Sequence, residues 1–587
     1  MTLTKPDKPA AEAATKLLGE APMAAELFAV MAILWPAATL VFSALLYWLG
    51  VPVGPVHLWA GLLIALTVAR LTSGGWRPWV AAATGVAAVT VGGGATLAWL
   101  YDFSGDGQWY HLPAILALAQ GWNPFEHPQL GEWNAAFERA ISERPSAAIY
   151  VQHYAKGTWI VAAAAYRATG LLEAGKAVNL LYLLAIYFLA AGFLRRIGLS
   201  RVWRHGLALA AAANPVLLYQ VPTFFVDGQV AALCTLLLLF SLEYLRAKRA
   251  YVLVPLGACV VLLANVKFTG VVYALALGAG IAGLFWLRGA RREAGRHAVA
   301  GTFAAFMGIT LVGYQPYVTN FRFHGNPFYP VLGSDEAAAS AMAGQFDIWA
   351  PPEFMAMGRV EKLARSLLSE SGGAESMPRW KVPLTVARRE LYIFFNTEPR
   401  YGGFGPLFGS VLLATLIVFL AAARSIDRRV LVSAGALTLL LVLSALLNRE
   451  AWWARLSPQV WLLPVVLLTA IAMAGPKWSR RVGALLVLLL LANSALVATL
   501  NWGRALQKNR DFRVQMSELK AMAKSAPPEI AFHSSFRMIT EYRLQAMLIP
   551  YQRVPKANCE APIRFSYPEA AQAAACPARD QRLPSHQ

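Results

Sequence analysis

Charge is what this chain lacks most. Only 14% of its 587 residues are Asp, Glu, Lys or Arg, while 57% are hydrophobic. A soluble domain carries roughly 25% charged residues, so an ordinary water-facing surface over a chain this long is excluded. Cysteine is nearly absent, four in all, with no CxxC pair and no zinc-ligand spacing, which removes a structural zinc site and a dithiol redox centre. No HExxH or GxxxxGK[ST] stretch occurs, so helix-borne zinc hydrolysis and phosphate-loop nucleotide hydrolysis fall away as well. Acid is scarcer than base, 32 residues against 52, for a formal net charge of +20. That excess does not point to nucleic acid: most Lys and Arg sit in short runs between apolar blocks, and no basic stripe with interleaved aromatics lies outside them.

What is present is apolar length. Thirteen blocks, most near the roughly 20 residues that span a hydrocarbon core of about 30 Å, run over 25–49, 56–71, 79–100, 175–194, 206–224, 228–245, 251–265, 269–287, 298–315, 404–423, 430–447, 457–474 and 482–500. The chain reads as an all-α polytopic membrane protein with about 13 transmembrane helices. Basic residues mark alternate short loops: Arg70 and Arg77; Arg195, Arg196, Arg201 and Arg204; Arg246, Lys248 and Arg249; Arg288, Arg291, Arg292 and Arg296; Arg424, Arg428 and Arg429; Lys477, Arg480 and Arg481. With the Lys-bearing residues 1–24 they define the cytoplasmic side, and 25–500 form the membrane domain. Two long loops, 101–174 and 316–403, and the tail 501–587 then face the other side. The apolar stretch 159–168 is too short to span and is expected to be interfacial or re-entrant. Pro222, Pro316 and Pro464 should break or kink helices, and Gly92, Gly93 and Gly94 should allow close helix packing. Cys234 and Cys259 read as core residues; Cys559 and Cys576 could pair in an extracytoplasmic tail.

Polar residues at block ends gather on the non-cytoplasmic side. Asp102 and Asp106 follow the third block, with Tyr110 and His111 just beyond; His153 and Lys156 precede the short apolar segment; Asp227 and Lys267 occupy tight turns; Asn320 and Arg322 follow the ninth block; Arg400, Arg449 and Arg455 lie further on. Plain roles compete with chemical ones. Asp102 or Asp106 could cap a helix, as could Asp227. Lys267, costly at membrane depth, either pairs with Asp227 or binds an anion. His153 could be a satisfied loop histidine, and the Trp452–Trp453 pair between Arg449 and Arg455 could be an interfacial belt. Taken together, fixed cations suit a lipid phosphate, and a carboxylate suits proton removal from an acceptor hydroxyl.

The run from Asp106, Gly107, Gln108, Trp109 and Tyr110 to Gly121, Trp122, Asn123, Pro124 and Phe125 resembles the first outer loop of GT-C superfamily membrane glycosyltransferases. His153 to Gly157 resembles the later His-Pro-Pro-Leu type motif of several members, without its prolines. The resemblance covers most of 79–475 and leaves out the first two helices and the tail. It implies a GT-C-like fold in a bacterial inner membrane, with the active site facing the periplasm. It further implies inverting transfer of a sugar from a polyprenyl-phosphate donor to a glycan, lipid or protein. Asp106 matches the catalytic base, assisted by Asp102. Tyr110, His111, His153, Lys156, Asp227, Lys267, Asn320, Arg322, Arg400, Arg449 and Arg455 form the pool of substrate-binding residues. No metal ligands are assigned, although a divalent cation is possible. The competing expectation is a secondary transporter or lipid-linked glycan flippase, or a polymerase, although no internal repeat of the kind transporters carry is visible.

Overall fold

The computed structural model describes residues 23–142, 145–331, 350–374, 376–532, 536–556, 563–565 and 573–576. Among them, nine helices are long and apolar enough to cross a membrane: Ala24–Trp48, Pro55–Thr72, Trp76–Ala98, Leu172–Arg196, Asp227–Ala247, Phe268–Leu287, Phe408–Ser425, Arg428–Leu446 and Lys477–Met522. Arg291–Val312 with Tyr314–His324 makes a tenth if the 79° bend near Pro316 lies within one span. The chain is thus a multi-pass helical membrane protein. The three remaining apolar blocks are helical but fall short on their own. Ala250–Val266 and Pro458–Ala474 are shorter apolar helices. The 206–224 block breaks into Arg201–Ala212 and Pro215–Gln220. The break follows from Asn214–Pro215: a residue before proline is disfavoured in the helical region, and Asn214 instead accepts from the Val216 N–H at 3.0 Å and donates to the Pro458 carbonyl at 3.0 Å.

Three of the six basic loops are tied together, and to the first helix, by ion pairs. Arg196 bridges Glu26, on the first turn of the first helix, and Glu243 at 3.0 Å; Arg246 holds Glu243 at 2.7 Å; Lys248 reaches Glu293 at 3.6 Å. Four segments far apart in sequence therefore share one end of the bundle. Asp227 opens the helix that carries Glu243 in its last turns, so the two residues lie about 24 Å apart along that helix. The polar clusters described below belong to the end opposite the basic loops.

Small residues set the helix spacing. A Cβ at Gly61 would strike Thr39 of the first helix, and one at Gly93 would lie 2.7 Å from Leu180 Cδ1. Gly94 faces Ala177, whereas Gly92 faces open space and needs no such account. The short apolar segment forms helix Gly157–Thr169, which packs inside the bundle against Pro55–Thr72 and the fully buried helix Leu112–Ala119. This favours the re-entrant expectation over the interfacial one.

The tail departs from an all-α description. Lys477–Met522 runs without interruption through residue 500, so the long helix carries the chain from the membrane domain into the tail. Beyond it, β1 (Glu529–Phe532), β2 (Gln552–Arg553), β3 (Ile563–Arg564) and β4 (Ala573–Cys576) form a sheet of order β2-β1-β4-β3. The β1–β2 pair is parallel and the others antiparallel. With helix Arg537–Ala546 the sheet closes a small core of Ile530, Leu544 and Ile549 onto Phe103, Phe512 and Met516. Cys576 is disulfide-bonded, and Cys234 and Cys259 are free and buried. Cys559 and the N-terminal lysines lie outside the described residues.

Candidate active site

Asp106 stands at the head of a π turn, Gly107–His111, that leads into helix Leu112–Ala119. Pro113 has no N–H to give the carbonyl four residues back, and the wider turn relieves that mismatch. Gly107 is required by close approach, because a Cβ there would collide with the Asp102 carboxylate and Ser104 Oγ. The turn aims Asp106 at Arg455, whose Nη2 lies 2.8 Å from Asp106 Oδ2; the Tyr110 hydroxyl donates to the same oxygen at 3.2 Å. Oδ1 takes no hydrogen bond among the described residues, and the side chain keeps 17% of its surface exposed.

Arg455 is the hub. Its Nη1 donates to Glu398 Oε2 at 2.7 Å, and its Nε lies 2.7 Å from Asp227 Oδ2, close enough for an ion pair but out of line for a hydrogen bond. Lys267 donates to the other Asp227 oxygen at 2.6 Å, which settles that lysine's choice in favour of pairing. Arg400 lies 3.5 Å from Glu398, and its guanidinium stacks 3.9 Å from the Trp453 ring centroid. The other side of the group is aromatic: Arg455 lies 4.6 Å from Phe225 and 4.9 Å from Trp453. Trp453 Nε1 donates to the Pro399 carbonyl at 2.9 Å and so fastens the Glu398–Arg400 loop.

Burial opposes the charge on Arg455, but Asp227, Glu398 and Asp106 outweigh it and hold the guanidinium charged well above its ordinary range. Glu398 is raised by burial, against the pull of Arg455. Burial lowers Arg400 to about 10. Burial and the neighbouring Asp106 push the Tyr110 phenol up, so it stays a donor to that carboxylate.

A cavity of about 670 Å³ opens beside the group. Gly105, Glu398 and Arg400 form its edge toward Asp106; Lys508 and Asn501 of the long helix, with Asn396, form other parts of its wall. Three carboxylates converge on a guanidinium here, and no group of three or more His, Cys, Asp or Glu suited to a metal occurs among the described residues.

Six of the residues singled out from sequence meet at this centre: Asp106, Tyr110, Asp227, Lys267, Arg400 and Arg455. The others lie elsewhere. Asp102 is wholly buried, with Oδ1 accepting from Ser104 N at 2.8 Å and Oδ2 from Phe224 N at 2.7 Å. Both oxygens are committed to backbone, so it tethers the turn and does not orient an acceptor. Lys156 is sealed, donating to the carbonyls of Gln152 and Tyr154 at 2.9 and 3.0 Å, and burial pushes its ammonium well below the usual lysine range. Its ammonium is turned to those two carbonyls between Trp122 and Trp159. His153 bonds Asn320 Oδ1 through Nδ1 at 2.8 Å, and Asn320 donates to the Tyr329 carbonyl at 3.0 Å, a structural clasp between loops. His111 accepts from Trp159 Nε1 at 2.7 Å, and burial lowers its pKa to about 3. Arg322 and Arg449 are exposed, the latter 3.4 Å from Glu450.

Glu398 escaped the sequence reading. Its signal is faint, an acid two residues before Arg400 in a loop without periodicity. Tyr150 was also missed; it stacks on Tyr110 with 4.7 Å between centroids. No protein-family model, curated protein or solved structure matches the chain.

Proposed function

We propose that this protein is an inverting glycosyltransferase of GT-C type, using a polyprenyl-phosphate-linked sugar on the periplasmic face of a bacterial inner membrane. The observation that carries the reading is Asp106: a partly exposed carboxylate whose Oδ2 is held by Arg455 and Tyr110 while Oδ1 remains available. A carboxylate held in this way is oriented to take a proton without rotating. An acceptor hydroxyl within about 3 Å of Oδ1 would lose its proton to Asp106 as its oxygen bonds the sugar's anomeric carbon. The bond from that carbon to the phosphate oxygen breaks on the opposite side, the electron pair leaves with the phosphate, and configuration inverts.

Arg400 is the cation suited to the departing phosphate, because it lines the cavity beside Glu398. Arg455 is less suited than the sequence suggested. Three carboxylates already share it, and its role is to hold Asp106 and Glu398 in register.

The test is release of polyprenyl phosphate by purified protein in nanodiscs, supplied with polyprenyl-phosphate sugars and candidate acceptors. Acceptor-dependent release that disappears in Asp106→Asn, with expression and melting unchanged, supports the reading. Wild-type turnover in that variant removes Asp106 as base. A transporter or flippase would release no polyprenyl phosphate at all.

A further inference from the structure

The second long loop contains a stretch that an aqueous surface does not explain. Trp380, Val382, Leu384 and Val386 are 66%, 64%, 55% and 42% exposed, four large apolar side chains within seven residues of a loop that turns at Pro383 and Leu384. Lys381, between the first two, turns inward and pairs with the buried Glu390. Pro383 denies the run a regular strand partner. A cluster of large apolar side chains held outward in this way marks a contact surface.

Its position says which surface it meets. Leu384 N donates to Ser410 Oγ at 3.0 Å, and Ser410 lies in the first turn of the membrane-spanning helix Phe408–Ala422. On that helix Leu413, Ile417 and Leu420 are exposed too, so the apolar row stands at the head of a lipid-facing flank. Arg379 and Arg388, both exposed, bracket the row at its two ends, where phospholipid phosphates would lie. The inner side of the same loop is different: Gly373, Ala374 and Ser376 before the row, and Ile393 and Phe395 after it, line the 670 Å³ cavity.

We infer that residues 376–387 form a strap that dips into the leaflet at the cavity end of the bundle, separating the cavity from lipid, and that a lipid-linked substrate enters past it. The first part stands on the geometry above, while the second rests on the glycosyltransferase reading.

Single cysteines at 380, 382 and 384, each carrying an environment-sensitive maleimide probe in nanodiscs, test the first part. Doxyl groups on phosphatidylcholine tails should quench all three more than aqueous iodide does, and the reverse ranking overturns insertion. For the second part, Trp380→Ser with Leu384→Ser should raise KM for the lipid-linked donor roughly tenfold, about the loss of one anchoring side chain, with kcat retained. Trp380→Leu should restore it. An unchanged KM in a folded double variant overturns the port. If wild-type protein releases no polyprenyl phosphate, the proposed function fails while the quenching still decides insertion.

Discussion

Two buried charge clusters stand side by side at one end of this bundle, and they differ in what they leave open. In the first, Arg455 gathers Asp106, Asp227 and Glu398, with Asp106 and Glu398 retaining 17% and 23% side-chain exposure beside the cavity. In the second, Arg543 from the C-terminal unit donates to the Asp102 carbonyl at 2.8 Å and lies 3.4 Å from Glu173, which Lys176 approaches at 2.8 Å. There the exposures are 3%, 6% and 0%. Both spend desolvation energy on paired ions, but only the first keeps a carboxylate oxygen within reach of a cavity. The sealed cluster locks the C-terminal unit onto the turn that presents Asp106. Asp102 and Asp106 are four residues apart and belong to different clusters.

The largest effect should come from removing a hub. Arg455→Leu leaves Asp106 without its cation and weakens the pairing of Asp227 and Glu398, and it should cost about 3–5 kcal/mol of stability, read by thermal unfolding in detergent, together with all transfer. Asp106→Asn, at the open edge, should lower transfer by roughly 10²–10⁴ with little change in melting. Arg543→Leu should do the opposite, losing stability while the surviving folded fraction still turns over. If Arg543→Leu abolished transfer at unchanged melting, the division between an open and a sealed cluster would collapse.

His111 sharpens the comparison through pH, since it sits at the end of the π turn beside the open cluster yet is itself sealed. Its pKa is lowered by burial from 6.5 to about 3, against the upward pull of Asp106 and Asp227. A depressed folded pKa means the stabilising contribution is complete above about 6.5 and is lost as pH falls toward 3, because the unfolded chain takes up the proton first. Melting temperature should therefore drop between pH 7 and pH 4. Burial also lowers His153, to about 4, so His111→Gln should flatten that slope only in part. A slope identical to wild type would mean His111 is not buried neutral.

Asp102→Ala comes next. It removes the acceptor of two backbone N–H groups, Ser104 and Phe224, and should cost about 1–3 kcal/mol, with a loss of turnover no larger than the misplaced turn accounts for. A loss as deep as that of Asp106→Asn at unchanged stability would return Asp102 to the chemistry.

How much of this was legible in the chain follows from the range of each signal. The spans are local: apolar length marks them, and basic loops sort their ends, as the Arg196, Glu26 and Glu243 contacts bear out. The break at Asn214–Pro215 is a local signal as well, but the reading of 206–224 as one span passes over it in favour of Pro222. Partners are not local. Asp227 and Lys267 could be suspected of pairing because they lie in neighbouring turns. Nothing near Arg543 announces that it will meet Asp102, 441 residues away. The sheet stayed hidden because its strands are two to four residues long, too short for alternation to register. Lys156 misled for a physical reason: a lysine beside a histidine in an outer loop looks available, and only the packing of Trp122 and Trp159 around it shows that it is sealed.

The smallest expected effect tests the boundary of the open cluster. Arg322 and Arg449 carry the same charge as Arg400 and share its end of the bundle, and from sequence alone the three are equals. Arg400 lies on the cavity wall against Trp453 and Glu398; Arg322 projects outward with its guanidinium 5.5 Å from Phe323, and Arg449 is 73% exposed beside Glu450. Exposed ion pairs contribute about 0–1 kcal/mol, so Arg322→Ala and Arg449→Ala should leave melting and donor KM nearly unchanged. Arg400→Ala should raise donor KM roughly tenfold or more, the loss of one charge-assisted contact. The discriminating measurement is donor KM for the three variants at low and high salt. A KM rise in Arg322→Ala or Arg449→Ala that salt abolishes would make them long-range steering charges for an anionic lipid head. A rise that salt does not touch would place the phosphate outside the cavity and move the donor site away from Arg400.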